Sequence, residues 1–135
     1  MKIKIICDKD DQLLKVRYNL KKELLKGIYN EKYKIKFMPK SCKDPDIYLI
    51  ISNDLEFIYK NSYEFEIKNG VGSNLIILTS NLKSANIVGC LNITPYVYYI
   101  KSKIESIAFK IIKIYNKNNI SDNLYTIPVK NKKDS

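Results

Sequence analysis

Two short stretches of this chain have no polar alternation: Ile47-Tyr48-Leu49-Ile50-Ile51 and Leu75-Ile76-Ile77-Leu78. A strand of that kind must be covered on both faces, which requires an α/β sheet flanked by helices. In such sheets functional groups gather at the carboxyl ends of the strands. The second run ends in Thr79-Ser80, and the β-rich run Tyr96-Val97-Tyr98-Tyr99-Ile100 ends in Lys101. Those strand ends are where function is to be sought.

The remaining elements follow from periodicity. Lys2 to Cys7 reads as a first strand. Asp10 and Asp11 sit where a helix N-terminus favours negative charge, and Leu13, Val16, Leu20, Leu24 and Ile28 recur at helical spacing in a helix ending near Gly27. Lys32 to Met38 alternates Tyr33, Ile35 and Phe37 with lysines, the pattern of a half-exposed edge strand. Leu55, Phe57, Ile58 and Tyr59 predict a short, weak helix, and residues 81–90 a poorly patterned one. Lys103 to Lys117 is amphipathic, with Ile104, Ile107, Ala108, Ile111 and Tyr115 on one face. The expected fold is a flavodoxin-like five-stranded parallel sheet of order 2-1-3-4-5. The helix between strands 2 and 3 is missing, so residues 39–46 must be a tight, irregular connection. Residues 1–117 form the domain, and 118–135 an Asn-rich linker and tail.

At 135 residues the chain has room for one good core. No apolar run approaches a membrane span and Met1-Lys2-Ile3-Lys4 opens no signal peptide, so a cytoplasmic protein without membrane contact is expected. Cys7, Cys42 and Cys90 are odd in number and widely spaced, which suits reduced thiols. Histidine is absent, excluding His-based triads, His-metal sites and phosphohistidine chemistry. The net charge of +10 suggests a polyanion, yet of the 24 basic residues Arg17 alone is arginine, the residue that forks onto phosphate and guanine. The charge is also uneven: residues 1–45 carry 13 basic and 6 acidic groups, 46–100 carry 3 and 5, and 101–135 carry 8 and 3.

A flavin or nucleotide phosphate would need a Gly/Ser/Thr-rich loop after the first strand, whereas Cys7-Asp8-Lys9-Asp10-Asp11 is acidic and lacks glycine. An acidic loop after strand 1, a hydroxyl after strand 4 and a lysine after strand 5 form a different constellation. It resembles the receiver domain of bacterial two-component response regulators, across residues 1–117. The separation of 22 residues from Thr79 to Lys101 is the family's usual one. The resemblance implies that Thr79 is the phosphate-sensing hydroxyl, Tyr98 the aromatic switch and Lys101 the family's lysine, with Mg²⁺ as cofactor if the pocket functions.

The departures from that pattern are specific. Ile51 or Ser52 stands where the phosphoacceptor aspartate should be, and Asp54 lies two residues further on. Asp8 matches the first member of the acidic pair, Lys9 replaces the second, and Asp10 substitutes only if the loop bulges. Ser102 replaces the proline after the lysine. The expectation is a degenerate receiver with no cofactor, no enzymatic activity and no phosphorylation, acting by protein contacts. Each residue also has an ordinary reading: Thr79 as a helix cap, Lys101 as a solvated strand end, Asp8, Asp10 and Asp11 as helix-start acids, Tyr98 as packing. Two other functions stay open. One is a phosphorylatable receiver using Asp54 or Asp8, served by a sensor kinase. The other is a small basic nucleic-acid-binding protein.

Leu124 to Lys133 alternates like a strand and resembles the opening of a LytTR-type DNA-binding domain, so DNA contact would come through an absent or truncated C-terminal domain; a lysine-rich tail is the other reading. The first and last helices should share one sheet face, leaving Lys15, Arg17, Lys22, Lys26, Lys103, Lys110, Lys113 and Lys117 on a common basic surface. A protein partner or a homodimer would then use the fourth helix and fifth strand.

Overall fold

The computed structural model describes residues 1–69, 74–101 and 103–118. Its elements are β1 (Lys2–Cys7), α1 (Asp11–Leu24), α2 (Gly27–Tyr33), β2 (Lys36–Phe37), β3 (Ile47–Ile51), α3 (Leu55–Asn69), β4 (Leu75–Thr79), α4 (Leu82–Cys90) and β5 (Tyr96–Tyr99). A last helix, α5, covers residues 104–118. The five strands are all parallel, in the order β2-β1-β3-β4-β5. This is the flavodoxin-like arrangement expected from the sequence.

Both apolar runs are central strands, and every residue of β3 and β4 is buried. Their alternating side chains feed two cores. Leu49, Ile51, Ile76 and Leu78 pack with Leu13, Leu20 and Leu24 of α1 and with Ile107, Ala108 and Ile111 of α5. Tyr48, Ile50, Leu75 and Ile77 pack with Ile58 and Phe65 of α3 and Val88 of α4. Helices α1 and α5 therefore share one face, and α3 and α4 the other. Burial on this scale, roughly 1.5–3 kcal/mol per large aliphatic side chain, holds the sheet between its helices.

Three sequence expectations fail between residues 1 and 69. The first helix stops at Leu24, and a separate α2 follows from Gly27. The strand expected over Lys32–Met38 shrinks to Lys36–Phe37, because Tyr33 is the last residue of α2. Tyr33 leaves the strand because it has a better site: its ring meets Tyr115 edge-on at 5.9 Å, and its hydroxyl pairs with Asn116 at 2.8–3.1 Å. Lys34 then ends α2 in the left-handed region, at φ 49°. The helix begun by Leu55 is long rather than short, running to Asn69.

The shortness of β2 explains how the chain omits a crossover helix. Phe37 and Ile47 both pair with Ile3, so β2 ends at the level where β3 begins. The chain need not travel back along the sheet. It has only to cross β1, a span of roughly 10 Å that residues 38–46 cover easily. The loop is fixed to β1 by Asp46 N–H to the Lys2 carbonyl at 2.8 Å, Lys2 N–H to Asp46 Oδ2 at 2.7 Å, and Lys4 Nζ to the Cys42 carbonyl at 2.9 Å. Among the described residues no helix is long and apolar enough to cross a membrane. The expected tail strand, Leu124 to Lys133, lies outside the described residues.

Candidate functional site

The carboxyl ends of β1, β3 and β4 lie side by side, and a closed polar network joins the residues that follow them. Chain exit from β3 is made by Ser52-Asn53-Asp54, and each of the three has a distinct task. Ser52 is fully buried; its hydroxyl donates to Asp8 Oδ2 at 2.9 Å and accepts the Asp54 N–H at 2.9 Å. Asp8 Oδ1 accepts the Lys9 N–H at 2.8 Å, so both carboxylate oxygens are used. Asp54 Oδ1 accepts the Glu56 N–H at 3.0 Å, turning that carboxylate onto the start of α3 rather than toward β5.

Asn53, which periodicity did not single out, ties β3 to β4. Its Oδ1 accepts both the Thr79 hydroxyl and the Ser80 N–H at 2.7 Å, and its Nδ2 donates to Ser80 Oγ at 2.7 Å. Its carbonyl accepts the Ser84 hydroxyl at 3.1 Å, which fastens α4 as well. Thr79 is fully buried and is not the cap of α4; that role belongs to Asn81, whose side chain accepts the Ser84 N–H. Among the described residues no buried side-chain polar atom lacks a hydrogen-bond partner.

The other sequence candidates are placed differently. Ile51 belongs to the core beneath α1 and α5, so of the pair Ile51 and Ser52 only Ser52 faces Asp8. The side chain of Asp10 caps α1, accepting from Gln12 N–H at 3.0 Å and Leu13 N–H at 3.1 Å. Lys9 and Lys101 are exposed, and the Lys101 N–H turns back to the Tyr99 carbonyl at 2.9 Å. Tyr98 is half-buried with Lys110 Nζ 4.7 Å from its ring centre. Lys110 is half-buried, whereas Lys15, Arg17, Lys22, Lys26, Lys103, Lys113 and Lys117 are exposed. Lys26 pairs with Glu23 at 2.8 Å.

The donor set does not fit the Mg²⁺ ion that the receiver resemblance implies. One carboxylate, Asp8, is shared with a serine hydroxyl, and Asp10 and Asp54 are turned onto helix N-termini. Among the described residues no group of three or more His, Cys, Asp or Glu side chains could hold a metal ion. The cysteines are free. Burial pushes the Cys7 thiol up, with the Arg17 guanidinium partly opposing it, which disfavours a reactive thiolate at neutral pH.

These strand ends belong to a flavodoxin-like α/β domain, and the polar side chains that follow β3 and β4 there are bonded to their neighbours within the fold. Compared with protein-family models, curated proteins and solved structures, the chain matches none.

Proposed function

We propose that this chain is a receiver-like regulatory domain that does not accept phosphate and works through contacts with another protein. The observation that carries this reading is the Ser52–Asp8 and Asn53–Thr79 network. A phosphorylatable receiver needs a free carboxylate on β3, a free hydroxyl on β4 and a cation to join them. In this chain the β3 position offers a serine hydroxyl, and the β4 hydroxyl is bonded to an asparagine. On this reading the domain belongs to a cytoplasmic LytTR-type transcription regulator, and any DNA contact lies outside residues 1–117. The contact surface would be α4 and β5. Leu82, Ala85, Val97 and Tyr99 line a groove of about 510 Å³ there, and Leu82 is 57% exposed.

A titration with beryllofluoride and Mg²⁺, followed by amide chemical shifts, tests the proposal. Saturable shifts at Thr79 and Lys101 would overturn it. The expected result is no saturable change at Asp8, Ser52 or Thr79.

A further inference from the structure

The helix-free crossover leaves part of the sheet differently dressed. On the face that carries α3 and α4, α3 packs on β3, and α4 on β4 and β5. On that face the connection 38–46 passes over β1, tied down by the bond from Lys4 to Cys42. The sequence of β1 reflects this. Lys2, Lys4 and Ile6 alternate toward the α3 side, while Ile3, Ile5 and Cys7 face α1 and α5.

Between the loop and α3 lie two adjoining cavities of about 220 and 430 Å³. Lys4, Lys40, Tyr48 and Glu64 are in the walls of both. The floor is apolar and aromatic: Ile6, Tyr48 and Phe65 are buried in the core beneath it, and Phe57 is half-buried at its surface. The rim is cationic: Lys9, Lys40, Lys43 and Lys60 are all exposed, and none of these four side chains holds an ion pair among the described residues. Against them stand Asp8, already bonded to Ser52 and Lys9 N–H, and Glu64. Four ammonium groups that hold no ion pair among the described residues stand around one groove, in a chain of net charge +10, and like charges so gathered repel. An anionic occupant relieves that repulsion.

We infer that this groove docks an acidic, amphipathic segment of a partner protein. Its carboxylates would sit against Lys9, Lys40, Lys43 and Lys60, and an apolar side chain would cover the half-buried Phe57. The floor and the rim together select this occupant. A nucleic-acid backbone would leave Phe57 uncovered and would pass the carboxylates of Glu64 and Asp8. A second copy of the chain, equally cationic, brings no compensating charge. An acidic helix or strand satisfies both, in the space where an α/β crossover ordinarily places a helix of its own.

The test uses the full chain and a short fluorescein-labelled peptide of Glu, Leu and Phe, at physiological ionic strength. Its probes for comparison are the same peptide with Lys for Glu, and oligothymidylate. The variant Lys40→Glu/Lys43→Glu/Lys60→Glu should weaken the acidic peptide on the order of tenfold or more. Lys15→Glu/Lys22→Glu/Lys113→Glu, which removes the same charge from the α1–α5 face, should change it by less than about threefold. Should the groove variant fold poorly, the unaltered protein decides: peptide-induced amide shifts are expected at Ile6, Tyr48 and Asn61 and not along α1 and α5. Equal weakening by both variants, no binding of the acidic peptide, or shifts confined to the α1–α5 face would overturn the inference. So would oligothymidylate binding more tightly than the peptide with the same dependence on Lys40, Lys43 and Lys60, which would make the groove a nucleic-acid interface.

Discussion

At the scale of single residues, the strand-end network turns on Asn53. Removing its side chain takes the Ser80 N–H acceptor and leaves the fully buried Thr79 hydroxyl only the Asn81 carbonyl at 3.4 Å. A buried polar group left unsatisfied costs about 1–3 kcal/mol. Asn53→Ala should therefore lower unfolding stability by roughly 2 kcal/mol in a urea titration. Asn53→Asp, which keeps the acceptor oxygen, should recover part of that loss; no difference between the two would mean that the acceptor is not what matters. Thr79 and Asp8 were legible in the sequence because each sits at the end of a recognisable strand. Asn53 was not, since an asparagine after a strand reads as turn chemistry, and its partners Thr79 and Ser80 lie a whole helix further along the chain. The task of Asp10 was half legible: helix-start acid and bulged pocket member were both open, and the structure assigns it to the cap.

At the scale of elements, continuous apolar runs were the readable part. β3 and β4 are buried on both faces, so composition alone defines them. The α2–β2 boundary was not readable, because Tyr33, Ile35 and Phe37 alternate as a strand would, while tertiary contacts to Tyr115 and Asn116 draw Tyr33 into a helix. What ends that helix is a lysine at φ 49°, ψ 62°. A side chain in the left-handed region is disfavoured by roughly 1–2 kcal/mol, and glycine relieves most of it. Lys34→Gly should accordingly raise stability by about 1 kcal/mol, less whatever the freer unfolded chain takes back. A loss of stability in calorimetry or urea unfolding would show that the lysine side chain contributes more than its backbone strain costs.

At the scale of the molecule, charge is the least balanced quantity. The chain carries +10, and Lys26 pairs with Glu23 among the described residues. Lysines cover the α1–α5 face and ring the groove over β1, so the folded state concentrates like charge that the unfolded chain spreads out. Raising sodium chloride from about 0.01 M to about 0.3 M shortens the screening length from roughly 30 Å to below 10 Å. The urea midpoint should rise across that range. A fall would mean that attractive pairs outweigh the repulsion. Summed charge was fully legible from composition, but its arrangement was legible only in part. The α1–α5 surface follows from helical spacing, whereas the groove depends on a crossover whose course only the strand register reveals.

That register also sets an order of events. β1 is made first, yet its partner β3 begins at Ile47, and its other neighbour β2 supplies only two residues. Until the third strand has been synthesised, the first has almost nothing to pair with, and Ile3, Ile5 and Ile6 stay unprotected on the growing chain. Contacts so distant in sequence place the domain among slower-folding topologies. The lysines interleaved at positions 2 and 4 give that waiting segment a charge, which opposes its association with other nascent chains while it waits.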